Sequence, residues 1–185
     1  MRAPLYFLLA CFMSAAGADE LLWRKLEREP NLVVLMRHTQ PAPGGNPLLW
    51  DESGKCHGES MLTSAGEAHA KRIGEAFSAR GIKPTVASSP MCRCRDTARI
   101  AFGSPVLTDA NLLEIASADA ARAKLFEGTA QSLIARHRGV APVVLVNHRP
   151  NIGLLTMELV AEGELLVGRA NDRGEVEILG RIVVP

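Results

Sequence analysis

Two segments of the chain are apolar at nearly every position, Asn31 to Met36 (NLVVLM) and Ala141 to Val146 (APVVLV). Continuous β-branched runs of this length read as strands buried on both faces. Pro84 to Ser88 is a shorter strand, and Pro105 to Leu107 is a brief strand candidate. Between them the pattern changes to a helical period. Gly66, Ala70, Ile73 and Phe77 recur on one face of a helix over Leu62 to Arg80, with Ser64 and Glu67 as a capping box and Gly81 as the stop. Ser89 and Pro90 read as the N-cap and first-turn proline of a helix through about Phe102. Residues 118–138 and Pro150 to Val160 are also helical in pattern. Glu164 to Gly168 and Glu175 to Val184 read as a closing pair of strands across Asn171-Asp172-Arg173-Gly174. Strands alternating with helices predict an α/β fold, a three-layer α/β/α sandwich around a mostly parallel sheet. Residues 39–61, punctuated by Pro41, Pro43, Gly44, Gly45, Pro47, Gly54 and Gly58, form a loop of a length that is usually functional or flexible.

Met1 to Ala18 follows another logic. A single charge at Arg2 precedes an apolar run from Leu5 to Met13 and small residues ending in Ala16-Gly17-Ala18. That is the layout of a secretory signal peptide, too short to span a bilayer, which needs about 20 apolar residues. The expected organisation is therefore a signal peptide over 1–18 and one domain over 19–185, periplasmic or secreted. A lipoprotein reading through Leu8-Leu9-Ala10-Cys11 would leave a shorter apolar segment. Export permits disulfides, and loss of Cys11 leaves Cys56, Cys92 and Cys94, an odd set with at least one thiol free or intermolecular.

Composition narrows the functional classes. Hydrophobic residues make up 47% and charged residues 22% of the 185, an ordinary globular balance that excludes disorder as the main theme. Lys and Arg number 21 against 20 Asp and Glu, so no overall field draws the chain to nucleic acid. Aromatic residues at 4% provide no base-stacking platform. Function must come from a few placed residues.

Both long apolar runs end in a histidine with an arginine beside it, Arg37-His38 and Asn147-His148-Arg149. Ligands of open α/β sheets bind beyond the carboxyl ends of the strands. A third strand end runs into Ser89-Pro90-Met91-Cys92-Arg93, so three loops converge on one sheet edge with two imidazoles and two guanidinium groups. His57, His69 and His137 lie in a loop or on helices among charged neighbours and read as structural.

The segments LMRHTQ, SSPMCRCRDTA and VLVNHRPNIG, together with LTSAGEAHAKRIGEAF, resemble the histidine phosphatase superfamily, the group that includes phosphoglycerate mutases. The resemblance covers nearly all of the chain after residue 18. It implies that His38 is the phosphate-accepting nucleophile and that Arg37, Arg93 and His148 surround the phosphoryl group. The chemistry agrees. A metaphosphate-like transition state needs positive charge on its equatorial oxygens, and guanidinium forks match them. A protonated His148 would add to that charge, whereas His38 must present a neutral nitrogen, its other ring nitrogen held as a donor. Such a site needs no metal and no cofactor. Its partner is a small phosphorylated substrate.

The resemblance also implies a carboxylic acid that protonates the leaving oxygen. Glu114 in LLEIA stands where mutase-like members place it, without their following glycine and tryptophan pattern, and Glu164 is the rival. Thr39 replaces a common glycine and would put a hydroxyl near the phosphate. Asn147 replaces a serine or threonine, and Arg149 adds positive charge at the rim, so Thr39 and Arg149 are the candidate substrate contacts. Cys94 falls where the family places a small buried residue, which leaves a Cys56–Cys92 bridge favoured over Cys56–Cys94. The resulting expectation is an exported phosphomonoesterase acting through phosphohistidine, with envelope sugar phosphates as the class its compartment suggests. A phosphate-binding module without turnover and a phosphoglycerate-type mutase are the alternatives.

Overall fold

The computed structural model describes residues 15–103, 105–116 and 119–185. A six-stranded sheet runs through it in the order β3-β2-β4-β1-β5-β6, built from β1 (Leu32–Arg37), β2 (Thr85–Ser88), β3 (Leu107–Thr108), β4 (Val143–Asn147), β5 (Leu165–Ala170) and β6 (Val176–Ile182). Strands β1 to β4 are parallel, and β5 and β6 continue the sheet antiparallel. The fold is the expected α/β sandwich, with crossover helices on both faces.

Alternation along β1 and β4 feeds two cores. Val34, Met36, Val144 and Val146 pack on one face with Ile73 and Phe77 from α2 (Ser64–Ser78) and Cys94 and Ala98 from α3 (Cys92–Phe102). Val33, Leu35, Val143 and Leu145 pack on the other with Phe126 and Ile134 from α4 (Ala120–Arg136) and Ile152 from α5 (Arg149–Thr156). Gly74 lets α2 and α3 close on each other, because a Cβ there would collide with the Ala101 carbonyl.

Helix α1 (Ala15–Arg28) has no counterpart in the sequence reading. It buries Leu22, Trp23 and Leu26 and sets Trp23 edge-on to Phe77 at 5.0 Å. The expected signal peptide lies outside the described residues up to residue 14, and α1 begins with its last four positions.

Several predicted ends move. The cap of α2 is Thr63, not Ser64: Thr63 is held extended by hydrogen bonds to Gln40, and its hydroxyl accepts from the Gly66 N–H at 2.9 Å. Gly81 does stop that helix, in the left-handed region at φ 68°, with the Ile82 N–H returning to the Phe77 carbonyl. Helix α3 starts at Cys92 rather than at Ser89-Pro90, because Met91 is extended (φ −62°, ψ 140°) and breaks the helical turn before it forms. Helix α5 ends at Thr156, four residues early, where Met157 turns left-handed at φ 59°.

Candidate active site

β1 and β4 are neighbours in register, with Arg37 opposite Asn147. The next residue of each strand is a histidine on the face of Val34 and Val144, toward α3. The His38 N–H donates to the Asn147 carbonyl at 3.1 Å, and the His148 N–H donates to Asn147 Oδ1 at 2.8 Å. One asparagine thus fixes both histidine backbones. The ring centroids are 5.5 Å apart.

Hydrogen-bond chemistry assigns the tautomers. His38 Nδ1 lies 2.8 Å from the Thr39 carbonyl, which only accepts, so Nδ1 carries the proton and Nε2 keeps its lone pair. Burial, with the charges of Arg93 and Arg37, pulls the His38 pKa down to about 4 against the opposing pull of the Thr39 carbonyl. His148 Nδ1 lies 3.2 Å from Arg93 Nη2, which only donates, so Nδ1 accepts and Nε2 donates to Ser89 Oγ at 2.9 Å. Burial first, then Arg93, His38 and Arg37, hold the His148 pKa well below its usual value. The expected protonated His148 is therefore corrected to a neutral ring, because it is fully buried beside a guanidinium.

Arg93 is buried, and its Nη2 donates to Glu114 Oε2 at 2.5 Å and to the Pro47 carbonyl at 2.7 Å. Arg37 donates to Glu162 at 3.1 Å and to the Val160 carbonyl at 3.4 Å. Among the described residues, Arg37 Nε, Arg93 Nη1 and Asn147 Nδ2 are buried with no hydrogen-bond partner. An unmatched buried donor costs about 1–3 kcal/mol, and a cluster of them around a strand end fits an anion that supplies the acceptors.

Glu114 follows a short 3-10 turn at Ala110–Leu112. Asn151 on α5 grips the backbone on both sides of it, accepting from the Ile115 N–H at 3.2 Å and donating to the Leu113 carbonyl at 2.9 Å. Its carboxyl lies 3.7 Å from His148 Nδ1, and burial raises its pKa against the lowering pull of Arg93 and Arg37. Glu164 is committed elsewhere, to the Ala161 N–H at 2.7 Å and to Arg181 at 2.8 Å. Of the two rivals, Glu114 joins the cluster.

The candidate substrate contacts divide. Thr39 is fully buried, and its hydroxyl and N–H meet Thr97 Oγ1 at 3.1 and 3.2 Å, while Thr97 donates to the Arg93 carbonyl at 2.7 Å. It ties the end of β1 to α3 rather than offering a hydroxyl to solvent. Arg149 is exposed at the first turn of α5. His57 pairs with Asp51, while His69 and His137 bond the Val184 and Leu133 carbonyls.

Cys56 and Cys92 are joined across 36 residues, and Cys94 is a buried free thiol, 3.5 Å from His148 Nε2. Burial pushes that thiol pKa up. Sequence reasoning missed Asn151 and the buried Glu59, whose Oε2 accepts from the Cys92 N–H at 2.7 Å. Neither lies at a strand end, and neither has a local spacing that marks it.

Buried Arg93, half-buried Arg37 and paired histidines at the carboxyl ends of central parallel strands define a site for oxyanions of the phosphate type. The chain belongs to the histidine phosphatase superfamily, branch 1, whose family model matches residues 33–131. No curated protein sequence matches it. Solved structures share the fold. The protein histidine phosphatase SixA complexed with tungstate is similar at TM-score 0.61 and 16% identity, over 82% of this chain and 96% of that one. The putative phosphohistidine phosphatase SixA from Agrobacterium tumefaciens gives 0.55 and 22%, over 83% and 98%. A mycobacterial glucosyl-3-phosphoglycerate phosphatase gives 0.55 and 18%, over 82% and 98%.

Proposed function

We propose that the chain is an exported, metal-independent phosphomonoesterase. His38 Nε2 attacks phosphorus in line, forming a P–N bond as the ester P–O bond breaks, and Glu114 protonates the departing oxygen. Water then attacks the phosphohistidine, giving its proton to Glu114 and releasing phosphate from His38. Arg37 and Arg93 supply the positive charge, and Asn147 orients both histidines. The observation that carries this reading is the bare Nε2 of His38, with Nδ1 tied to Thr39, in a pocket whose buried arginine donors lack acceptors. The leader-like residues 1–18 support a periplasmic or secreted location, and with it envelope sugar phosphates as the substrate class.

The test is acid quenching during turnover of a labelled aryl phosphate, followed by mapping of the label. An acid-labile, base-stable phosphoryl group on His38 is expected. Label on a serine such as Ser88 refutes the route, and binding of phosphate without turnover leaves the binding-module reading instead. A panel of phosphomonoesters, including sugar phosphates and a phosphohistidine peptide, then ranks substrates by kcat/KM.

A further inference from the structure

The loop between His38 and α2 is a built element. Its ends are zipped by bridges at Pro41–Leu62 and Asn46–Glu59 and by the Ala42 N–H on the Met61 carbonyl at 2.7 Å. Its tip is fastened to the start of α3. Cys56 is bonded to Cys92, and Arg95 donates to the Gly54 carbonyl at 3.0 Å beside the two sulfurs. Glu59, buried to 6% exposure, bridges the two parts: Oε2 accepts from the Cys92 N–H at 2.7 Å and Oε1 from the Asp51 N–H at 2.8 Å. The first N–H belongs to the opening turn of α3, where a helix leaves donors unmatched and favours a carboxylate. Arg93 is the next residue. Its Nη2 meets the Pro47 carbonyl of the same strap, and its Nη1 is the donor without a partner.

Resting on the phosphoryl-transfer reading above, we propose that Glu59 is a positioning residue for Arg93. Its carboxylate, beside the disulfide, locks the strap of residues 40–61 to the first turn of α3. The Pro47 carbonyl then holds one arm of the Arg93 guanidinium and leaves the other for a substrate oxygen. A single carboxylate accepting from both strap and helix is suited to this, because either contact alone would leave the other part free to shift.

A double-mutant cycle tests it, read by vanadate affinity and by KM and kcat on an aryl phosphate, with circular dichroism to confirm folding. Glu59→Gln keeps the size but presents an NH2 to one of the two N–H donors. Vanadate affinity should weaken and KM rise by about tenfold, as for loss of a hydrogen bond to a charged group, with kcat changed less. In the Arg93→Ala background the same substitution should change vanadate affinity by less than about twofold, since Glu59 acts through the missing guanidinium. Where Arg93→Ala does not fold, Arg93→Met, which keeps much of the side-chain volume but has no donor for the Pro47 carbonyl, serves the same purpose. Equal losses in both backgrounds would mark a general structural role and overturn the proposal. So would unchanged affinity in Glu59→Gln alone. A wild-type protein that neither binds vanadate nor turns over the ester overturns the phosphatase reading and this proposal together, whereas an active wild type with an indifferent Glu59 overturns the strap alone.

Discussion

The two sides of the site are held by different means. The histidine side is backbone: His38 and His148 extend two paired strands, and Asn147 supplies both of their main-chain acceptors. The strap side has little regular structure and is held by separate anchors, a disulfide, the Glu59 carboxylate and the Pro47 carbonyl on Arg93. Strand ends are fixed by the whole sheet, so the proposed nucleophile inherits the rigidity of the core. The strap is only as firm as its few fasteners. That difference suits a phosphatase in which the attacking atom must not move while the surface around the ester is free to vary.

The largest effect should follow from removing the fixed side. His38→Ala deletes the atom proposed to form the covalent bond, and kcat is expected to fall at least about a thousandfold, or roughly 4 kcal/mol. Vanadate should still bind, because Arg37 and Arg93 remain. Near-normal kcat in this variant would remove His38 from the mechanism.

The strap responds in stability. Cys56 and Cys92 close a span of 36 residues. The chain-entropy model gives roughly 4 kcal/mol for a loop of that size, or a fall in Tm on the order of 10 °C. The Cys56→Ser, Cys92→Ser double variant, melted beside the wild type, should show it. A change below about 1 kcal/mol would mean that the strap orders itself without the bond.

The same division explains what was legible in the sequence. A strand buried on both faces announces itself by an unbroken apolar run, so β1 and β4 and the histidines after them could be read directly. Helix α2 declared its buried face at Gly66, Ala70, Ile73 and Phe77, although its cap moved to Thr63 for a tertiary reason, the pull of Gln40. Helix α1 stayed hidden because its first four residues, Ala15 to Ala18, read as the end of the leader-like segment. Glu59 was unreadable because its partners, the Asp51 and Cys92 N–H groups, come together only once the strap is folded. The charge state of His148 was misread because burial beside Arg93 is a property of the packed site.

Acid should destabilise the fold through the histidine side. An unfolded histidine takes up a proton near 6.5, whereas His38 in the fold resists until about 4. Between those values the unfolded state binds more protons, so stability rises with pH. It is complete above 6.5 and is lost as pH falls toward 4, by about 3 kcal/mol for this group, with His148 acting in the same direction. Urea midpoints across this range should fall less steeply in His38→Ala. Identical slopes would show that His38 does not titrate across unfolding.

The smallest effect, and the one that best separates the two proposed catalytic groups, concerns Glu114. It sits on neither strand end nor strap, and is held by Asn151 beside Arg93. A general acid contributes about a hundredfold or more when the leaving group is a poor one, so Glu114→Gln should lower kcat/KM by roughly that factor on alkyl phosphates and less on aryl phosphates. The pH profile carries the finer prediction. Burial raises the Glu114 pKa above 4.5, and the group must be protonated to donate, so kcat/KM should fall as pH rises through that raised value. On the acid side His38 must be neutral, so kcat/KM should fall again as pH drops below about 4. The result is a bell whose alkaline limb belongs to Glu114 and whose acid limb belongs to His38. Glutamine does not titrate, so Glu114→Gln should erase the alkaline limb and leave the acid limb in place. If the alkaline limb persists in that variant, the proton donor is another group, and the close approach of Glu114 to Arg93 serves only to hold the arginine.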